Sequence, residues 1–142
     1  MNNRVLVVLA LAAAVGAGAC GSSSPTTPSS PDQSNVPYSQ TDLVVGTGAA
    51  AFSNSTVHMT YNLWLYSETA TDHKGTFIEG NVNMQFALSN TIAGWRQGVA
   101  GMKVGGQRRL IVPPAMAYGS TGSGNIPPNA ALVFDVELVS IP

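Results

Sequence analysis

The sequence predicts an α+β fold in which an antiparallel sheet of about five strands is wrapped on one short α-helix. Three observations predict it. First, Ser55–Tyr66 and Ala130–Ile141 alternate apolar and polar residues with the period of a half-buried strand. Second, only Thr91–Met102 repeats apolar residues at helical spacing within the domain, through Ile92, Trp95 and Val99. Third, shorter apolar runs end at turn residues or at Pro113-Pro114, and no heptad or internal repeat suggests another architecture.

In chain order, residues 1–19 read as a signal peptide. A polar, basic start at Asn2–Arg4 precedes apolar and small residues from Val5 to Ala19. That run is shorter than the roughly 20 residues that span a bilayer, and it ends in small residues like those of a cleavage site. An uncleaved membrane anchor is the alternative. The tetrapeptide AGAC, Ala17–Cys20, resembles the lipobox of bacterial lipoproteins, with Ala17 where leucine is usual. The resemblance implies that Cys20 is acylated and becomes the mature N-terminus. Residues 20–41 are then the lipidated cysteine and a Ser/Thr/Pro-rich tether. Such a segment buries too little surface to fold, and its prolines keep it extended, with a reach of up to roughly 50 Å. Cys20 is the only cysteine, so no intramolecular disulfide forms.

The folded domain is expected over residues 42–142. DLVVGTG, from Asp42, reads as a short strand and turn. In Ser55–Tyr66, residues Val57, Met59 and Tyr61 alternate with His58, Thr60 and Asn62. SETATDHKG reads as a polar loop, and Asn83–Ser89 as a strand with Met84, Phe86 and Leu88 on one face. The helix over Thr91–Met102 is interrupted by glycines, which disfavour it. GQRRLIV is a strand stopped by the prolines. In the last strand Leu132, Phe134, Val136 and Leu138 share one face, and Val133, Asp135 and Glu137 the other.

Charge is sparse, with a formal net charge of -1, which argues against nucleic acid as a partner. The glycine-rich stretch AYGSTGSGNIPP, Ala117–Pro128, lacks the Gly-Lys-Ser/Thr of a phosphate loop and the Gly-x-Ser-x-Gly of a nucleophile elbow. His58 and His73 are the only histidines and have no second ligand type beside them, so no metal site is expected. Asp72, Glu79, Asp135 and Glu137 show no pairing for acid–base work. What remains is a set of aromatic and apolar residues near loops, of which Trp64 and Phe86 read as simple packing.

Gly94–Val139, GWRQGVAGMKVGGQRRLIVPPAMAYGSTGSGNIPPNAALVFDVELV, closely resembles the C-terminal half of FKBP-type peptidyl-prolyl cis–trans isomerases, and TDLVVGTG and STVHMTYNLWLY resemble the family's first strands. The resemblance implies a half-open antiparallel sheet curved around one short helix. It also implies an activity, rotation about the bond preceding proline, whose barrier is roughly 20 kcal/mol because the amide is partly double-bonded. No nucleophile, proton transfer or cofactor is needed. By resemblance, Trp95 is the floor for the proline ring, the Ile92 N–H holds a substrate carbonyl, and the Tyr118 hydroxyl reaches a ligand carbonyl. Thr91 precedes Ile92, Ile126 is the apolar tip of the loop before Pro127-Pro128, and Phe134 and Tyr61 line the pocket from their strands. The family's Phe-Asp pair falls in KGTFIEGN with two alignments. The ungapped one puts Ile78 and Glu79 there and is preferred because it keeps an acid; a one-residue gap uses Phe77 instead. Met84 sits where an aromatic is common.

The resemblance implies proline-containing polypeptides and macrolide inhibitors as partners, with a membrane reached through Cys20, in a monomer at the cell envelope. The Ile78, Glu79 and Met84 departures motivate an alternative, a binding module that kept the groove without catalysis. A structural envelope lipoprotein whose aromatics are only core is a third reading.

Overall fold

The computed structural model describes residues 31–142. The signal peptide, Cys20 and the tether as far as residue 30 lie outside the described residues. Five strands form one antiparallel sheet: β1 (Ser39–Val44), β2 (Thr56–Tyr66), β3 (Lys74–Ala87), β4 (Gln107–Val112) and β5 (Leu132–Ser140), in the order β1-β4-β5-β2-β3. The helix α1 (Ala93–Val99) covers the sheet's inner face. The fold class expected from sequence is therefore the one observed.

β2 and β5 lie inside the sheet and carry the clearest alternation. Val57, Met59 and Leu63 of β2 and Leu132, Val136 and Leu138 of β5 are buried in one apolar cluster. Tyr61 pairs with Val136 and Leu63 with Phe134, which brings the inward side chains of both strands together. Each such side chain contributes about 1.5–3 kcal/mol through burial.

Helix α1 is only 7 residues long, so propensity alone does not hold it. It is held by packing at its glycines. A Cβ on Gly94 would lie 2.5 Å from Val112 Cγ1, and one on Gly98 would lie 2.5 Å from Leu110 Cδ2 and 2.6 Å from the Tyr38 hydroxyl. The glycines that disfavour a helix in sequence are what let this one lie directly on β4.

Three boundaries differ from expectation. β3 begins at Lys74, taking in the end of the expected polar loop, and runs for 14 residues rather than starting at Asn83. It is an edge strand with most residues exposed, so burial imposes little alternation on it. β1 starts at Ser39 instead of Asp42 and is exposed throughout; pairing with β4 and an Arg108–Asp42 ion pair of 2.6 Å hold it. The packed chain also begins earlier, inside the segment assigned to the tether. Gln33 is buried, donates from its backbone N–H to the Asn129 carbonyl at 3.0 Å and from Nε2 to the Tyr66 carbonyl at 3.1 Å, and accepts from the Ala131 N–H at 2.8 Å. Val36 is buried too, and the Tyr38 hydroxyl donates to the Gly94 carbonyl at 3.3 Å. One amide that supplies both donor and acceptor leaves no periodic signal in a sequence.

The outer face carries an ion cluster. Asp135 accepts from Arg109 Nε at 2.7 Å and Nη2 at 2.9 Å, and pairs with Lys74 Nζ at 2.7 Å. Burial pushes the Asp135 carboxyl up, but the bonds from Arg109 and Lys74 outweigh it and hold it below its ordinary value. Lys74 Nζ also lies 4.0 Å from the Trp64 ring centre, so these side chains tie β3, β5 and β4 together.

Replacing Gly98 by Ala should destabilise the domain by ~1–3 kcal/mol, because the new methyl group must displace Leu110 or Tyr38. Urea unfolding of the variant checks this, and an unchanged midpoint would contradict the close approach.

Candidate active site

Trp95 sits in the first turn of α1 and is 4% exposed. Three rings stand at near-right angles to it: Tyr61 at 5.0 Å, Phe86 at 5.2 Å and Phe134 at 5.5 Å between centroids. Such edge-to-face pairs add about 0.5–1.5 kcal/mol each beyond area burial. The Trp95 indole N–H is buried and has no acceptor among the described residues. These four rings line a cavity of about 290 Å³, which Glu79, Thr91, Ile92 and Tyr118 also border.

β3 supplies one side of the cavity through a break in its own period. Glu79 and Phe86 are an odd number of residues apart, so a regular strand would place them on opposite faces. The ladder with β2 shows how they come to share one. Met59 and Tyr61, two apart, face Met84 and Asn81, three apart. The extra residue is a bulge at which Asn83 takes φ 52° and its N–H donates to Thr60 Oγ1 at 3.1 Å. Past the bulge the parity is reversed, so Glu79, Asn81 and Phe86 all meet inward residues of β2. A second shift between Leu63 and Trp64 sets Leu63 opposite Glu79 and Trp64 opposite Phe77, leaving Ile78 as the additional residue. Phe77 is 54% exposed and packs edge-on against Trp64 at 5.8 Å, whereas Ile78 packs against the core cluster. The structure therefore turns Ile78, not Phe77, inward, where it packs on the core and borders not this cavity but the neighbouring one beneath the flap.

Met84 does not line the cavity. It is 46% exposed near the bulge, and the aromatic expected at its position is supplied by Phe86, two residues along on the same face. Phe86 reads in sequence as simple packing, yet it borders the cavity. Its signal in sequence is the strand face it shares with Met84, which cannot say which of the two lies over the helix.

The stretch Ala117–Pro128 is an internally bonded flap. The Gly119 N–H donates to the Pro114 carbonyl at 2.8 Å, and Ser123 and Ile126 exchange backbone bonds of 3.0 and 2.8 Å. The Asn129 N–H closes the base on the Gly119 carbonyl at 2.9 Å. Gly122 has φ 71°, and a Cβ there would collide with the Ile126 carbonyl. Ile126 was expected as the tip; instead it is tucked under, 7% exposed and part of the core cluster. It does not border the main cavity. With Ile78, Ser123 and Asn125 it borders a second one of about 250 Å³, which shares Glu79 and Tyr118 with the first.

Polar groups are few and directed. Tyr61 donates to Glu79 Oε1 at 2.7 Å and accepts from Asn81 Nδ2 at 2.9 Å. Burial, then the bond to the Glu79 carboxylate, pushes the Tyr61 hydroxyl up to about 12. Burial and the charge of Glu79 raise Tyr118 as well. Both phenols are therefore neutral donors near neutral pH. The Thr91 hydroxyl is spent on the Leu88 carbonyl at 2.7 Å. Ile92 caps α1, its carbonyl accepting from the Trp95 and Arg96 N–H groups at 3.0 and 3.2 Å, while its own N–H has no backbone acceptor among the described residues.

Comparison with known proteins gives a consistent result. The family model described as FKBP-type peptidyl-prolyl cis-trans isomerase matches residues 48–139. A probable FK506-binding protein of Corynebacterium glutamicum is 40% identical over 99 residues, which cover 70% of this chain and 82% of that relative. FkpA of Escherichia coli is 40% identical over 79 residues, 49% of this chain and 29% of its own length. The chain thus spans less than a third of some curated relatives it matches. The crystal structure of FkpA superposes with a TM-score of 0.65 at 33% identity, covering 77% of this chain and 50% of that one. A peptidyl-prolyl cis-trans isomerase of Pseudomonas syringae superposes at 0.64 with 26% identity, over 99% of this chain and 98% of its own.

The raised tyrosines set an alkaline limit on stability. Tyr38, Tyr61 and Tyr118 are all shifted upward, whereas in the unfolded chain they ionise near 10. Their contribution is fully present below about pH 10 and is lost as pH rises towards 12. Urea midpoints should stay level from about pH 7 to 9 on this account and fall above about pH 10; a fall that sets in by pH 8 would contradict it.

Proposed function

The chain belongs to the FKBP-type peptidyl-prolyl cis–trans isomerase family, and from that premise we propose that it speeds the folding of proline-containing proteins at the cell envelope, as a monomer held to a membrane through acylated Cys20. The observation that carries the catalytic part is an aromatic cavity floored by Trp95, with a neutral hydroxyl from Tyr118 and an unbonded backbone N–H from Ile92 at its border.

The chemistry follows from the amide. Its planar form is stabilised by charge separation between nitrogen and oxygen, and water favours that separation. A proline ring taken onto Trp95 leaves water, so the charge-separated form is disfavoured and the C–N bond turns more easily. The Ile92 N–H and the Tyr118 hydroxyl receive the substrate's carbonyls, and bonds that are stronger in the twisted state than in either planar isomer lower the barrier. The bond from Tyr61 to Glu79 holds the Tyr61 ring beside Trp95. Macrolide inhibitors fit the same apolar site. The reading of a binding module without catalysis rested partly on Met84 as a weak wall; Phe86 supplies that wall, which supports catalysis.

Two experiments test this. Purified domain should accelerate isomerisation of a proline peptide in a protease-free assay, and Tyr118→Phe should lower kcat/KM by about 5- to 10-fold, the equivalent of one hydrogen bond, with little change in urea midpoint. Correctly folded protein that binds the peptide without changing the rate would favour the binding module. Separately, Cys20→Ser in the full chain should move the protein from the membrane to the soluble fraction, and unchanged membrane retention would refute the lipid anchor.

A further inference from the structure

Gln33 lies in the segment that reads in sequence as tether, yet its side chain is built into the sheet. The β2–β5 register that pairs Leu65 with Leu132 puts Tyr66 opposite Ala131. An antiparallel pair of this kind exchanges two backbone bonds. One is present, from the Tyr66 N–H to the Ala131 carbonyl at 2.9 Å. The reciprocal bond is replaced by the Gln33 carboxamide, whose oxygen accepts from the Ala131 N–H at 2.8 Å and whose nitrogen donates to the Tyr66 carbonyl at 3.1 Å. A side-chain amide thus stands between the two strands where the chain passes from the flap into β5.

The same residue holds the flap's return. Its backbone N–H donates to the Asn129 carbonyl at 3.0 Å, and the Asn129 N–H donates to the Gly119 carbonyl at 2.9 Å. Asn129 takes φ 56°, where residues other than glycine are uncommon, and the bonds on either side hold it there. Gly119 adjoins Tyr118, which borders the proline cavity. Two hydrogen bonds in series therefore join Gln33 to the neighbour of Tyr118. A direct bond between Tyr66 and Ala131 would close the sheet with no help from elsewhere. The inserted amide instead makes the path of the flap depend on residue 33.

We propose that Gln33 is a positioning residue of the isomerase: by bridging β2 and β5 at the flap's return it sets the Tyr118 hydroxyl at the proline cavity. The segment ahead of β1 then belongs with the active site. The inference rests on the isomerase reading and adds a residue outside the stretch that the family model matches, residues 48–139.

The test compares Gln33→Ala, Gln33→Glu and Tyr118→Phe in the full chain, under conditions where each is fully folded, so that lost stability alone leaves the rate unchanged. Gln33→Ala should lower kcat/KM for a proline peptide by about two- to five-fold, a loss bounded by that of the Tyr118 hydroxyl itself. In the Tyr118→Phe background the same change should cost less than about two-fold, because the group it positions is gone. Gln33→Glu should regain activity as pH falls from about 8 to 5, since burial raises a carboxyl's pKa and the protonated form can donate to Tyr66 as the amide does. Amide exchange at Ser123, Ile126 and Asn129 should speed up in Gln33→Ala by more than exchange in the centre of β5. An unchanged kcat/KM in folded Gln33→Ala would overturn the proposal, as would a loss that persists in full in the Tyr118→Phe background. If Gln33→Ala does not fold, the pH dependence of Gln33→Glu decides, and a flat profile counts against the role. If the unsubstituted chain isomerises no peptide, the isomerase reading fails on its own; amide exchange then decides whether Gln33 positions the flap, and a uniform rise across flap and sheet says that it does not.

Discussion

The site depends first on how closely a short helix approaches the sheet. Trp95 occupies its place because α1 rests on β4 at Gly94 and Gly98, where no side chain intervenes. A larger residue at either position would lift the helix and open the contacts at 5.0–5.5 Å between Trp95 and the rings of Tyr61, Phe86 and Phe134. Because interiors are close-packed, such a shift cannot be absorbed locally. The low helix propensity of this stretch is thus the condition of the packing that stabilises it.

The second constraint is one of parity. A regular strand puts every second side chain on the same face, yet the cavity needs Glu79 and Phe86 together and Phe77 turned away. β3 meets both demands by inserting residues opposite β2, at Asn83 and at Ile78. An edge strand tolerates this, since its outer backbone groups have no second ladder to satisfy. The same insertions explain why TFIEGN admits two alignments in sequence: the choice between Phe77 and Ile78 turns on a pairing shift that no local pattern encodes.

What was legible in the sequence follows the same physics. β2 and β5 are buried on one face along their whole length, and their alternation marked them. Trp95, Tyr118 and Phe134 lie in stretches whose resemblance to the family is continuous, and all three border the cavity. The illegible parts are those where burial does not repeat. β3 is exposed at most positions, so its start at Lys74 carried no signal. Gln33 holds Asn129, Ala131 and Tyr66 with one side chain and backbone pair, and nothing in a Ser/Pro-rich stretch distinguishes it from its neighbours. The resemblance makes Ile126 a tip, but the glycines and prolines around it let the chain fold back and bury it.

The distribution of charge then bears on the proposed mechanism. Lowering the amide's double-bond character requires a site that does not solvate the charge-separated form. A carboxylate beside the prolyl nitrogen would do the reverse, stabilising its partial positive charge and stiffening the bond. Glu79 avoids this by its position: it borders the cavity, is exposed to water, and spends one oxygen on Tyr61. The hydroxyl that the proposed mechanism offers to the substrate is neutral, because burial and the nearby carboxylate keep Tyr118, like Tyr61, protonated. One charge can then hold an aromatic wall in place through Tyr61 without entering the apolar space where the bond turns.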